Sequence, residues 1–349
     1  MSQAVVITGV GVVHAGAIGG TEALARLLSR PSAPEAPGRR DVGALPGGLI
    51  DETETRRLSR VCQLGVAAGR LAVADAGLDR GAELGLILGT EFGDFSSTRA
   101  FADGFLSSGP AGLSALLFPN TVMNTVAAAT TIALAAQALS LTLNARTVAG
   151  ELAVARAAAA ISAGRVRALV AGGVDQVDPL VGETLPVLDE DPVTGEGATL
   201  LVLESGEAAQ ARGARIFAEV AGAASRALPA RPHGVGRAGV SRAIPAALEA
   251  ASLASEAITW VYDSASADAA RNAWQARLLA AALGPAVPRV SLRQALGAHA
   301  GVAALGIAAA AWTTRAGCLA AAAGPAVRRG PGLVYGLGRG GTEVALVIR

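Results

Sequence analysis

The stretch Leu139–Gly150, reading LSLTLNARTVAG, constrains this chain more than any other. It reads as a short strand, Leu141–Leu143, then a turn, then a helix from about Val148 to Ala163. Ala168–Gly173 reads as the next strand. In an open α/β sheet, ligands collect at the carboxyl ends of strands and the amino ends of the helices that follow. The residue at that corner is Thr147. An unactivated threonine hydroxyl is a poor nucleophile, so a reactive position is held by a quiet residue.

The rest of the chain alternates in the same way. Val5–Gly9 reads as the first strand, ending in a turn Gly9-Val10-Gly11. A helix over Glu22–Leu28, a Pro/Gly-rich loop over Pro31–Gly48, a long helix over Thr55–Ala76 and a strand over Leu84–Gly89 follow. Phe92–Gly109 holds a turn and a helix with Phe92, Phe95, Phe101 and Phe105, and Asn124–Leu139 reads as a further helix. After Ala168–Gly173 come a loop, Asp178–Gly197, and a strand, Ala198–Glu204. The order then restarts: strands at Phe217–Ala224, Ile258–Tyr262, Arg289–Leu292, Gly332–Gly336 and Glu343–Ile348. Helices at Ser241–Ala254, Arg271–Leu283 and His299–Arg315 lie between them. This is a repeat in element order rather than in residue identity. With the boundary near Ser205–Arg215, it predicts halves at 1–205 and 206–349.

The 349 residues suffice for two halves with a large core. Lysine plus arginine number 29 against 28 acids, a net charge of +1, which argues against a nucleic-acid face or a polybasic membrane patch. Cys62 and Cys318 share no motif spacing and are expected as buried thiols in a reducing cytoplasm. No secretory leader or membrane span is read. Gly104–Ala145 contains no charged side chain. A helix there with no face marked for water is expected to be covered by its own subunit on one side and a partner on the other.

Some patterns are set aside. Gly336-Leu337-Gly338-Arg339-Gly340-Gly341 fits G-x-G-x-x-G, yet the dinucleotide fingerprint needs a helix directly after it. Here a strand follows, so glycines between two strands are the better reading. His14 is expected in a loop, His233 solvated in the loop Pro229–Gly239, and His299 as a cap or core residue opening a helix. None has metal-ligand spacing, so no metal and no cofactor are expected.

Four segments in order, VVITGVGVV at the start, LVAGGVD at 169–175, GEGATLLVLES at 195–205 and GLGRGGTEVALVIR at the end, resemble a β-ketoacyl synthase. The resemblance covers nearly the whole chain. It implies a thiolase-like, five-layered αβαβα fold of two repeated halves. It also implies a dimer in which the strand at Leu141–Leu143 is shared, with Met123, Asn124, Leu141 and Leu143 at the interface. Active members use a cysteine at the corner, two histidines and a lysine. Those positions fall here on Thr147, Ser264, Ala298 and Arg293. His299 is one residue late, and on a helix that turns a side chain by about 100°.

Condensation needs a thiolate to carry the acyl chain and imidazoles to stabilise the enolate. Arginine stays protonated and cannot do a lysine's proton transfers. The chain therefore resembles a catalytically silent chain length factor of a type II polyketide synthase, here with threonine where many such factors carry glutamine. The resemblance implies a heterodimer with an active ketosynthase, with acyl carrier protein reaching the complex and bringing phosphopantetheine-bound substrates to the partner. It places a chain-length gate at Phe95, Thr98, Phe101, Leu117 and Leu180. The trimmed loops around 178–196 and 225–240 resemble partners from polyene-forming, highly reducing systems. The alternatives are a stand-alone acyltransferase or hydrolase using Thr147 or Ser264, and a scaffolding pseudoenzyme without a tunnel. Asp263 adjoins Ser264, but neighbours in a strand point to opposite faces.

Overall fold

A computed structural model of the chain describes residues 3–29, 40–81, 83–187, 195–320 and 327–349. The first half supplies strands β1 (Val5–His14), β2 (Leu84–Thr90), β3 (Ser140–Asn144), β4 (Ala168–Asp175) and β5 (Gly197–Ser205). The second supplies β6 (Ala218–Ala227), β7 (Trp260–Asp263), β8 (Arg289–Val290), β9 (Gly332–Leu337) and β10 (Thr342–Ile348). The spatial order is β3-β2-β4-β5-β1 in one sheet and β8-β7-β9-β10-β6 in the other, the same permutation twice. Parallel and antiparallel pairings also correspond strand for strand. A short antiparallel contact, Val6↔Glu219 and Ile7↔Ala218, joins the sheets edge to edge. The mixed α/β, thiolase-like layering expected from the sequence is the architecture observed.

The principal helices are α1 (Arg60–Asp75), α2 (Phe95–Ser108), α3 (Thr125–Leu134), α4 (Ala149–Ser162), α5 (Pro179–Val187), α6 (Ala243–Ala250), α7 (Ala269–Leu283), α8 (Arg293–Leu296) and α9 (Ala300–Ala316). Helices α4 and α9 form the central layer, and each touches strands of both sheets. Alanine makes this possible. Ala153, Ala157, Ala308, Ala309 and Ala310 are buried there beside Leu169, Leu305, Val334 and Val344. A Cβ on Gly150 of α4 or Gly173 of β4 would overlap the Ala300 carbonyl at the head of α9. Helices α1 and α3 cover the outer face of the first sheet, and α6 and α7 that of the second.

Several elements differ from their sequence reading. The expected turn at Gly9-Val10-Gly11 is strand, because β1 runs on to His14. A Cβ on Gly9 or Gly11 would overlap the carbonyl oxygens of Ala72 and Ala68, so these glycines admit α1 against the sheet. His14 is accordingly a buried strand residue, not a loop residue. The long helix read over Thr55–Ala76 is two helices, Glu52–Arg57 and α1, parted where Leu58 turns extended and Ser59 becomes an N-cap. The helix read over Asn124–Leu139 stops at Leu134, where Ala135 takes a left-handed conformation. The loop read over Asp178–Gly197 contains α5, and its residues 188–194 lie outside the described set, as do residues 31–39 of the loop read over Pro31–Gly48. Cys62 is buried as expected, while Cys318 is half-buried.

Candidate functional site

The corner forms as the sequence predicts. Strand β3 ends at Asn144, a single 3-10 turn spans Arg146–Val148, and α4 begins at Ala149. Arg146 has φ 53, a left-handed conformation for a non-glycine residue directly before Thr147. Strain of this kind is held only where surroundings over-determine it. Arg146 Nη1 lies 2.6 Å from His233 Nδ1, across the two halves. His233, expected to be simply solvated, is exposed yet bound to the corner. Thr147 is half-buried, and none of the described side chains hydrogen-bonds its hydroxyl.

Ser264 follows the end of β7 and is 1% exposed. Its hydroxyl accepts from the Leu337 amide at 3.0 Å and from Arg271 Nη1 at 3.4 Å, and donates to Gln275 Oε1. The proton that a base would have to remove is therefore committed to an amide oxygen. Asp263 is half-buried and turns to the Ala265 amide at 3.0 Å.

Arg293, on α8, is 2% exposed and donates from Nη2 to Glu151 Oε1 at 2.6 Å. Glu151 is 3% exposed and sits one helical turn beyond Thr147 on α4. Burial pushes the Glu151 carboxyl up, and the Arg293 charge opposes that shift. The pair is incomplete, since Arg293 Nη1 and Glu151 Oε2 are buried without a partner among the described residues. Gly336 of β9 packs against both Glu151 and Val148, which brings the C-terminal strands onto the corner.

Ala298 is buried at 8% exposure beside His299, the N-cap of α9. His299 Nδ1 accepts from the Gly301 amide at 3.1 Å, so a neutral ring carries its proton on Nε2. Burial lowers the His299 pKa well below the usual value, and His14 and Arg293 act in the same direction. The His14 ring stands 5.4 Å away, and burial pushes its pKa down to about 3. His14 Nε2 lies 2.7 Å from Thr199 Oγ1. Burial thus favours the neutral form of both rings, one beside the Thr199 hydroxyl and the other on the Gly301 amide. His299 is a cap and core residue, as expected.

Around these positions lie charged residues that the sequence reading missed. Asp268 caps α7 and accepts from Arg339 Nε and Nη2 at 2.6 and 3.0 Å, with Arg271 Nε at 3.7 Å. Arg271 Nη1 also donates to the Leu337 carbonyl at 2.9 Å. Asp175, at the end of β4, accepts from Thr90 Oγ1, the Glu91 and Phe92 amides and the Ala300 amide. Glu151 was the one with a sequence signal: it falls on the inner stripe of an alanine-rich helix, four residues beyond Thr147. The glycines at 336–341 join β9 to β10, as the strand reading requires.

The gate candidates lie on adjoining segments. Phe95 opens α2 and is half-buried. Thr98 is exposed, its hydroxyl folded back to the Asp94 carbonyl at 3.0 Å. Phe101 is half-buried and packs on Phe118 at 5.9 Å between centroids, beside the half-buried Leu117. Leu180 is 43% exposed, and its amide donates to Asp178 Oδ1 at 2.9 Å. Asp178 also accepts from Ser96 at 3.0 Å and pairs with Arg99 at 3.4 Å, tying α5 to α2. Of the interface candidates, Met123 and Leu141 are each 40% exposed, Asn124 is exposed, and Leu143 is half-buried against the central core.

Comparison with known proteins agrees with this geometry. The family model described as Beta-ketoacyl synthase, N-terminal domain, matches residues 47–184. The chain is 27% identical over 195 residues to 3-oxoacyl-[acyl-carrier-protein] synthase 2 of Vibrio harveyi, covering 49% of this chain and 47% of that protein. It thus spans about half the length of that curated relative. It is 32% identical over 271 residues to a polyketide beta-ketoacyl synthase 1 named in Streptomyces halstedii, covering 63% of this chain and 62% of that one. A solved structure, the ishigamide ketosynthase/chain length factor, superposes with a TM-score of 0.87 at 23% identity. That superposition covers 100% of this chain and 99% of the other. The fold is the thiolase-like fold of ketosynthases, and the matches support the β-ketoacyl synthase family.

Proposed function

We propose that this chain is the non-catalytic member of a ketosynthase pair, a chain length factor that closes the far end of the partner's acyl tunnel. The observation that carries this reading is where the apolar surface lies. Among the described residues, all but three of the exposed large apolar side chains fall between Phe105 and Val187. They include Phe118, Met123, Ile132 at 81% exposure, Leu141 and Leu180. The edge strand β3 runs through the same face, with its outer side unpaired in the single chain. Exposed apolar side chains concentrated on the segments that flank an open strand edge suit a partner surface better than a solvated one.

The reaction centre supports a silent role. No thiol, imidazole or lysine stands at the four positions, and one of them, Arg293, is buried in an ion pair with Glu151. The Ser264 hydroxyl is spent on Gln275, which leaves the stand-alone acyltransferase reading without an activated nucleophile. The product class, a polyene from a highly reducing system, is part of the proposal and rests on the short loops. Delivery of substrates by an acyl carrier protein to the catalytic partner belongs to it as well.

Co-expression with candidate ketosynthases tests the pairing. A soluble one-to-one complex is expected, with aggregation of the chain alone. A soluble monomer that condenses malonyl units by itself would sink the reading. Within the complex, Phe101→Ala opens the stack on Phe118 and is expected to shift products longer. Unchanged length with an intact complex removes Phe101 from the gate.

A further inference from the structure

A cleft of about 350 Å³ opens between the short helix Thr21–Leu28, the C-terminal half of α9 and the segment leading into β6. Leu24 and Ala25 come from the short helix, Ala308, Ala311 and Trp312 from α9, and Phe217 from the segment before β6. The walls are thus apolar, and a hollow of this size suits a small molecule. Trp312 lies thirteen residues beyond His299, about 20 Å along the helix axis. The cleft is therefore remote from the vacated centre, and none of the gate candidates lines it.

Two guanidiniums complete the lining. The central carbons of Arg215 and Arg315 lie 4.3 and 5.8 Å from the centroid of the Phe217 ring. Arg215 pairs with Asp75 at 3.2 Å. Asp75 already accepts from the Val10 amide at 3.0 Å and from the Thr21 amide and hydroxyl at 3.1 and 2.7 Å. Arg315 has no ion pair among the described residues, and its Nη1 reaches the Ile216 carbonyl at 3.4 Å. Glu22 and Arg26, exposed on the short helix, do not line the cleft. An unpaired arginine alone would mark nothing. Here two like charges are drawn to one aromatic ring at the rim of an apolar hollow, with a single acid between them. Clefts with low-dielectric walls and one sign of charge concentrate the opposite charge.

We propose that this cleft binds a small amphipathic monocarboxylate, its head on Arg315 and Arg215 and its apolar body against Ala25, Ala311 and Trp312. Two guanidiniums and one carboxylate leave one positive charge, which matches a monoanion. A guanidinium fork holds a carboxylate by two parallel hydrogen bonds. The alanines leave room that longer side chains would fill, and burial of the ligand's apolar body against them supplies the rest of the affinity. Neither the gate nor the partner face enters this site, so it holds with or without a ketosynthase partner.

Octanoate is the probe, titrated into the full chain, together with its ketosynthase where the two co-purify. Trp312 is the reporter: it is half-buried, whereas Trp260 and Trp274 are fully buried. The signal is the difference in tryptophan emission between the native and Trp312→Phe chains, and a saturable change is expected. Arg315→Gln is expected to weaken binding about tenfold, and Arg315→Lys to recover part of that loss. Ala25→Phe fills the cleft from a half-buried position and is expected to abolish binding. Arg26→Gln, on the same helix but outside the cleft, should stay within about twofold. The charge and filling variants act by different routes, so poor folding of one leaves the other decisive. Octan-1-ol binding as tightly as octanoate overturns the anion site, and acetate competing equally well overturns the apolar one. Equal octanoate affinity in the native, Arg315→Gln and Ala25→Phe chains overturns the cleft as a ligand site. Failure of the ketosynthase-pair reading would show in co-elution and product length, not in these curves.

Discussion

Arg293 and Glu151 bury a guanidinium and a carboxyl group with one hydrogen bond joining them, and each keeps an atom without a partner among the described residues. Removing water from a charge costs several kcal/mol, and a pair recovers this only with good geometry and further bonds. Breaking the pair from one side should therefore be worse than removing both members. Arg293→Met or Glu151→Gln alone is expected to cost about 3–5 kcal/mol, and Arg293→Met/Glu151→Leu distinctly less than the two singles combined. Urea unfolding of the purified variants measures the cycle. Additive losses would mean the two charges do not act as a pair. Thr147 and Ser264 carry no comparable burden: one hydroxyl is unpartnered, and the other already serves three neighbours.

At the scale of elements, α3 shows how one helix serves two masters. Val126, Ala127, Thr130 and Leu134 are buried against α1, where Gly65 and Gly69 admit them. Ile132, one face away, is almost fully exposed. Substitutions that spare the inner stripe should leave the subunit folded and spoil only its association. Ile132→Lys and Leu141→Lys are each expected to change subunit stability by less than about 0.5 kcal/mol. Both should reduce co-elution with the ketosynthase in size-exclusion chromatography. Retained co-elution in both would move the interface elsewhere. The inner side behaves oppositely. Gly11→Val drives a side chain into the Ala68 carbonyl, with an expected loss of about 3 kcal/mol or outright misfolding, read by thermal unfolding.

For the whole molecule, the buried imidazoles set the acid limit. His14 and His299 both have folded pKa values below the ordinary 6.5, so the unfolded chain takes up protons that the folded chain refuses. Their stabilisation is complete above about pH 6.5 and is lost as pH falls toward the folded values, at about 1.4 kcal/mol per pH unit for each ring. Asp175 works in the other sense. Its pKa is pushed up to about 6 by burial, so the folded chain gains a proton there first and offsets part of the loss. His14→Gln is expected to flatten the fall in stability between about pH 7 and pH 5, measured by urea unfolding across that range. A slope equal to that of the native chain would show that His14 is not the sensor. The sequence by itself determined the alternation of β and α elements, the corner at Thr147 and the charge-free stretch Gly104–Ala145. These are local patterns: periodicity, turn chemistry and residue type. Only the tertiary structure decided that Gly9 and Gly11 lie in a strand, because their reason is a helix some sixty residues further on. It alone paired Arg293 with Glu151, Asp268 with Arg339 and Arg146 with His233. Burial and pairing between distant segments depend on how two sheets stack around α4 and α9, and no linear pattern carries that distance.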